Sequence, residues 1–251
     1  MRTRYFIFIS YKGTSYHGWQ IQPNAVTIQM ILEEALSVVL NEKISAIGAG
    51  RTDAGVHALY FCAHFESISP DLLTVKNLIF RLNQYLPEDI SVGSLKKVIP
   101  DANARYSAIS RTYKYYISRI KDPFFNNSSW YLHGNIDIET MNQACDLLSR
   151  QVDFTSFSRL HSGVKSNICK IYKCSWKESD NRLVFTIKAD RFLRNMVRAI
   201  VGTIVEIGFG KMDLKEFEEI INAKDRCKAG KSAPAKGLFL VDIEYPEEIF
   251  I

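Results

Sequence analysis

A chain of 251 residues with 47% hydrophobic and 24% charged side chains can bury a substantial core, which excludes fibrous, low-complexity and intrinsically disordered classes. No apolar run is long enough to cross a bilayer and Met1-Arg2-Thr3-Arg4 has no signal-peptide pattern, so a cytoplasmic protein without membrane association is expected. Five scattered cysteines (Cys62, Cys145, Cys169, Cys174, Cys227), none in Cys-x-x-Cys spacing, predict free thiols and no metal.

Residues 5–11 alternate as a strand. The next segment has helical spacing at Ile28, Ile31, Leu32, Ala35 and Val39, with Asn24 or Thr27 as cap. Strands at about 43–49 and 59–66 follow, then a helix with Val75, Leu78, Ile79, Leu82 and Leu86 stopped by Pro87, then a strand over 90–98. This βαββαβ order predicts an antiparallel sheet with both helices on one face, of ferredoxin-like or RRM-like type. The second half repeats the order without repeating the sequence: a strand over 110–120, a helix over 138–148, strands near 168–177 and 182–189, a helix over 192–207 and a last strand over 238–245. Asp213 and Glu216 make a capping-box start for a short inserted helix. The join near 100–108 lacks linker composition. The expectation is an α+β protein of two RRM-like subdomains, 1–104 and 105–251, packed as one body around a central cleft of the kind ligands favour.

The run Gly50-Arg51-Thr52-Asp53-Ala54-Gly55-Val56-His57-Ala58 falls between two predicted strands, so Asp53 is presented on a tight connector at a sheet edge. Gly50 and Gly55 are expected to permit positive φ and close approach of a ligand, and Arg51 to hold the carboxylate ionised, as a nucleophilic or anion-stabilising Asp requires. A dinucleotide fingerprint opening at Gly48 has no room for its crossover helix. An aspartyl-phosphate centre needs a second acid for magnesium, and the position two beyond Asp53 is Gly55. A salt-bridged structural turn fits the tripeptide as well.

The net charge of +5 is modest, but the cations gather in three stretches: Arg159, Lys165, Lys170, Lys173 and Lys177; Lys188, Arg191, Arg194 and Arg198; Lys224, Arg226, Lys228, Lys231 and Lys236. A charge run is commonly a solvated face. Interleaved with Tyr172, Trp176 and Phe192, these stretches point to a polyanion, most simply RNA. On the strand over 110–120, Arg111, Tyr113 and Tyr115 share one face and Lys114 and Tyr116 the other. Such tyrosines serve as core residues or stack on a base taken out of its helix. In the predicted helix from 192, Arg191, Arg194 and Arg198 recur on one stripe, where a guanidinium could pair with a carboxylate. Residues 11–20, YKGTSYHGWQ, read as a glycine-punctuated binding loop or as a packed turn with a buried Trp19. None of the five histidines has triad or metal spacing.

YKGTSYHGWQ (11–20), GRTDAGVHA (50–58), ARYSA (104–108), RTYKYY (111–116), DFTSF (153–157), FLRNMVRAIVG (192–202) and GLFLVDI (237–243) together resemble the TruA family of tRNA pseudouridine synthases. The resemblance implies an isomerase acting on uridines 38, 39 and 40 of the tRNA anticodon stem-loop, working as a homodimer of two RRM-like subdomains per protomer with no metal or organic cofactor. It implies that Asp53 is catalytic, that Arg51 and Arg198 lie beside it, that Tyr113 stacks on the target base, and that Arg105 and Arg111 join them in binding substrate. One departure is visible: the family's usual Tyr-Asp-Gly-Thr is here Tyr11-Lys12-Gly13-Thr14. The rivals are a non-catalytic tandem RRM-like module, although no RNP1 string occurs, and a chelator-sensitive phosphoester hydrolase with an aspartyl nucleophile.

Overall fold

In Thr3–Tyr11 (β1), Tyr5, Ile7, Ile9 and Tyr11 fall on one face and Phe6 and Phe8 on the other, and all are buried, as a strand covered on both sides requires. The structure is a computed structural model that describes residues 2–69, 71–159 and 166–251. Met1 and Lys165, which enter the readings of the N-terminus and the basic clusters, lie outside the described residues.

The chain divides into two units, Met1–Ile109 with Leu240–Ile251, and Ser110–Phe239. The first begins with β1, followed by Ile28–Leu40 (α1), Ala46–Gly48 (β2), His57–Ser67 (β3), Leu78–Tyr85 (α2) and Ile90–Lys97 (β4), in the order the sequence predicts. Thr27 caps α1 by accepting from the Met30 amide at 3.4 Å. The sheet runs β4-β1-β3, with the short β2 also on β3, and β1 is antiparallel to both its neighbours. Buried Ile28, Leu32, Leu36, Leu78 and Leu82 supply the helical side of the core. Phe6 and Phe8 are covered instead by the C-terminal segment, with the Phe6 ring 5.1 Å from Tyr245 and 6.1 Å from Phe250.

The second unit contains Ser110–Ser118 (β5), Trp130–Tyr131 (β6), Ile138–Ser149 (α3), Ile171–Ser179 (β7), Arg182–Ala189 (β8), Met196–Gly208 (α4) and Leu214–Ala223 (α5). Its sheet has the order β5-β8-β7, with antiparallel neighbours. Tyr115, Ile117, Leu183, Phe185, Ile187 and Trp176 form the buried face of these strands, and α4 is buried along nearly its whole length. Asp213 and Glu216 form the expected capping box at the start of α5.

Several boundaries shift by a few residues from the sequence reading, and three of the differences matter for the site. The helix expected from Phe192 starts at Met196, because Asn195 takes φ 65°, outside helical geometry, while its side chain donates to the Ser232 hydroxyl at 2.7 Å. Arg191 and Arg194 therefore precede the helix, and Arg198 lies on it. Division of the chain falls at Ile109 rather than at 104. The last strand, Leu238–Glu244 (β9), returns most of its length to the first unit, since the Ile109 amide donates to the Glu244 carbonyl at 2.8 Å, the Tyr245 hydroxyl to the Ala104 carbonyl at 2.6 Å, and the Ile251 amide to the Lys97 carbonyl at 3.1 Å. Among the described residues no helix is long and apolar enough to cross a membrane.

Candidate active site

The connector from β2 to β3 carries Asp53 as sequence spacing predicts, and residues 53–56 close a turn in which the Val56 amide donates to the Asp53 carbonyl at 3.1 Å. Gly55 sits at φ +78°, the positive φ that a type II turn demands at its third residue. Asp53 is half-buried at the head of this turn, while Arg51 is exposed. Among the described residues Arg51 enters no ion pair. Gly50 takes no positive φ and has open space around it, so the fold itself makes no demand for glycine there.

What braces the turn is the loop over residues 11–20. The Tyr11 and Thr52 hydroxyls share a hydrogen bond at 3.0 Å, the Trp19 amide donates to the Thr52 carbonyl at 3.4 Å, and the Gly55 amide donates to the Tyr16 carbonyl at 3.3 Å. The Gly13 amide donates to Nδ1 of buried His57 at 3.1 Å, just beyond the turn. Gly18 adopts φ +83° and passes so close that a Cβ would lie 2.2 Å from the Thr52 carbonyl oxygen. The loop is itself anchored on its far side. The Tyr16 hydroxyl donates to the Asp89 carboxylate at 2.5 Å and the Lys12 amide to the Asp89 carbonyl at 2.8 Å. Burial first, and then Asp89, pushes the Tyr16 phenol up, so it remains a donor.

The loop also starts α1. Its Gly18 and Trp19 carbonyls accept from the Ile28 and Gln29 amides at 3.1 and 3.0 Å, which satisfies two donors that a helix N-terminus leaves unpaired. Trp19, 2% exposed, lies with its ring centroid 4.3 Å from that of Phe61 on β3. Residues 11–20 are therefore a packed support under Asp53, which favours the packed-turn alternative for most of the loop. Lys12 is exposed.

Arg105 belongs to the same unit. It is exposed on a loop held by the Ala104 amide, which donates to His64 Nδ1 at 3.1 Å, and by the Arg105 amide, which donates to the Asn103 side chain at 2.9 Å. Its guanidinium lies 5.3 Å from the Tyr106 ring, itself 77% exposed.

Arg111, Tyr113 and Arg198 belong to the second unit. Tyr113 is half-buried on β5 opposite Ile187, with the Phe192 ring edge-on at 5.1 Å. Phe192 thus fixes the plane of the tyrosine rather than opening a helix. Arg111 donates from Nη1 to the Asp190 carbonyl at 2.8 Å. Arg198 donates from Nε to the Ala233 carbonyl at 2.8 Å, while the Ala233 amide returns a bond to the Arg198 carbonyl at 2.9 Å. The segment after α5 is thereby stitched to α4 through the Gly230 amide on the Thr203 hydroxyl at 3.0 Å, and to β5 through the Tyr115 hydroxyl on the Pro234 carbonyl at 2.8 Å. Burial pushes the Tyr115 phenol up, partly offset by the nearby Arg198 charge.

His57, Asp89 and Ala233 support these side chains and were not singled out by sequence. Their partners stand 44, 73 and 35 residues away, and no local pattern announces them. Among the described residues no group of three His, Cys, Asp or Glu could hold a metal ion.

A family model described as tRNA pseudouridine synthase matches residues 7–107 and 144–246. The chain is 51% identical to tRNA pseudouridine synthase A of Parabacteroides distasonis over 98% of both chains. It is 53% identical to the protein of the same name from Bacteroides fragilis, again over 98% of both. The protein of that name from Porphyromonas gingivalis is 46% identical over 99% of each chain.

Proposed function

This chain belongs to the tRNA pseudouridine synthase family, and we propose that it isomerises uridines 38, 39 and 40 of the tRNA anticodon stem-loop to pseudouridine. The observation that carries the reading is the aspartate turn: GRTDAGVHA presents Asp53 half-buried on a connector whose backbone is braced by the loop below it. A reacting carboxylate held this way needs little reorganisation when the substrate arrives.

Asp53 breaks the glycosidic bond, either by adding to the anomeric carbon or by removing a proton from the neighbouring ribose carbon. The freed uracil turns and rejoins through C5, C5 loses its proton and N1 gains one, so the reaction involves no net oxidation. Both routes need an ionised carboxylate. In this reading Arg198 keeps it ionised, and the bond from its Nε to the Ala233 carbonyl supports that role by fixing the guanidinium's stem. Tyr113 holds the detached base and assists loss of the C5 proton, with the edge-on Phe192 ring supporting a fixed stacking plane. Exposed Arg51 holds the flipped nucleotide, and Arg105 and Arg111 contact the RNA around it.

We further read each unit as RRM-like. The antiparallel β4-β1-β3 order of the first unit with β2 on β3, and the β5-β8-β7 order of the second, support this reading. A cytoplasmic homodimer without metal or organic cofactor completes the proposal. The test is incubation of tRNA transcripts with the protein in EDTA, followed by mapping of pseudouridine. Modification at 38–40 is expected. An unmodified anticodon stem-loop, with a folded protein that binds the tRNA, would favour the non-catalytic module.

A further inference from the structure

The second unit's sheet has one face lined by buried side chains; on the other, the Phe125 ring lies 3.6 Å from the Arg182 guanidinium at one end, while Lys173 and Lys177 stay exposed toward the other strand edge. Cross-strand register puts Lys114 and Tyr116 of β5, Lys188 and Arg182 of β8, and Lys173 and Lys177 of β7 on this other face. Lys173 and Lys177 are exposed, and the others are half-buried. The only carboxylate in these three strands, Glu178, falls on the opposite register beside Leu183. Asp122 and Asp180 stand beyond the strands at the Arg182 end.

Two features show that folding alone does not account for this charge. Lys173 lies directly across from Lys188, and like charges in that position destabilise a sheet. Among the described residues Lys114, Lys173 and Lys177 enter no ion pair, whereas Lys224, in another of the basic stretches, is held by Asp153 at 3.0 Å. A second copy of the chain would bring like charge against like on this face, so a polyanion fits it better.

We propose that this face is a docking surface for the phosphate backbone of the substrate RNA away from the reacting nucleotide, with Lys114, Lys173 and Lys177 as its principal contacts. The inference rests on the tRNA reading above and adds a surface to it.

The test compares wild type with the triple variant K114Q/K173Q/K177Q and the control K224Q. Each is titrated with fluorescently labelled tRNA transcript over a range of salt, and turnover is measured on saturating transcript. The triple variant is expected to lose about 2 from the steepness of log affinity against log salt, from about 0.7–0.9 per phosphate contact. KM should rise about tenfold at moderate salt, with kcat within twofold of wild type and the melting temperature unchanged or higher. K224Q should keep the wild-type slope. An unchanged slope and KM in the triple variant would overturn the proposal, as would an unchanged slope with an altered oligomeric state by light scattering, which would make the face a contact between copies. Wild-type protein that binds with the expected slope but forms no pseudouridine would defeat the synthase reading and leave the surface standing.

Discussion

Replacing Gly18 by alanine strikes the brace under Asp53 without touching the aspartate. The added Cβ would meet the Thr52 carbonyl oxygen at 2.2 Å, where ordinary contact begins at 3.4 Å, so the connector must retreat by about 1.2 Å. Alanine at φ +83° costs about 1–2 kcal/mol, and forcing an extra carbon into a packed site adds about 1–3 kcal/mol. For a chain of this length that lowers the melting temperature by roughly 5–15 °C. A displacement of this size next to a reacting group reduces kcat on the order of a hundredfold. Single-turnover pseudouridine formation, measured well below the variant's melting temperature, separates lost positioning from lost fold. Gly50→Ala is the matched control: with no atom within 4 Å of its built Cβ and no positive φ, it should leave stability unchanged. Gly18→Ala with wild-type kcat and melting temperature would refute the bracing argument.

Two further outcomes follow from the same unit. Tyr16→Phe removes the bond to the Asp89 carboxylate and should lower stability by about 1.5 kcal/mol, read by urea denaturation; no change would mean the anchor is idle. His64 is buried, its pKa held down to about 4 by burial first and then by Arg4, with Glu66 opposing. Between pH 6.5 and 4 the unfolded chain takes up a proton that folded His64 refuses. Its contribution is therefore complete above pH 6.5, falls by at most about 3 kcal/mol as pH drops through that window, and is flat below it. His64→Asn, whose side-chain oxygen can still accept from the Ala104 amide, should show a shallower loss than wild type over the same window in pH-dependent denaturation. Parallel curves would show that His64 does not carry the dependence.

Much of the architecture was legible because it is written locally. Strand β8 matches its predicted span of 182–189, where Leu183, Phe185, Ile187 and Ala189 supply a period-2 apolar face that the structure buries. The capping box at Asp213 was readable from two residues at fixed spacing. What escaped was set by distant partners. The start of α4 depends on Asn195 reaching Ser232, and the return of the C-terminus to the first unit depends on Glu244 meeting Ile109. At the candidate site the aspartate turn was visible as a motif, and its positive-φ Gly55 followed from turn chemistry. The bracing by Tyr16, Gly18 and His57 depends on close approach between the loop over 11–20 and the connector over 52–57, which no single stretch of sequence displays.

The most direct measurement is tritium release from tRNA transcripts labelled at uridine C5, in EDTA, comparing wild type with Asp53→Ala alongside tRNA-binding titrations. Release by wild type and none by the variant, with tRNA affinity retained by both, is the predicted result. Release by Asp53→Ala at the wild-type rate would contradict the assignment of the reaction to this turn.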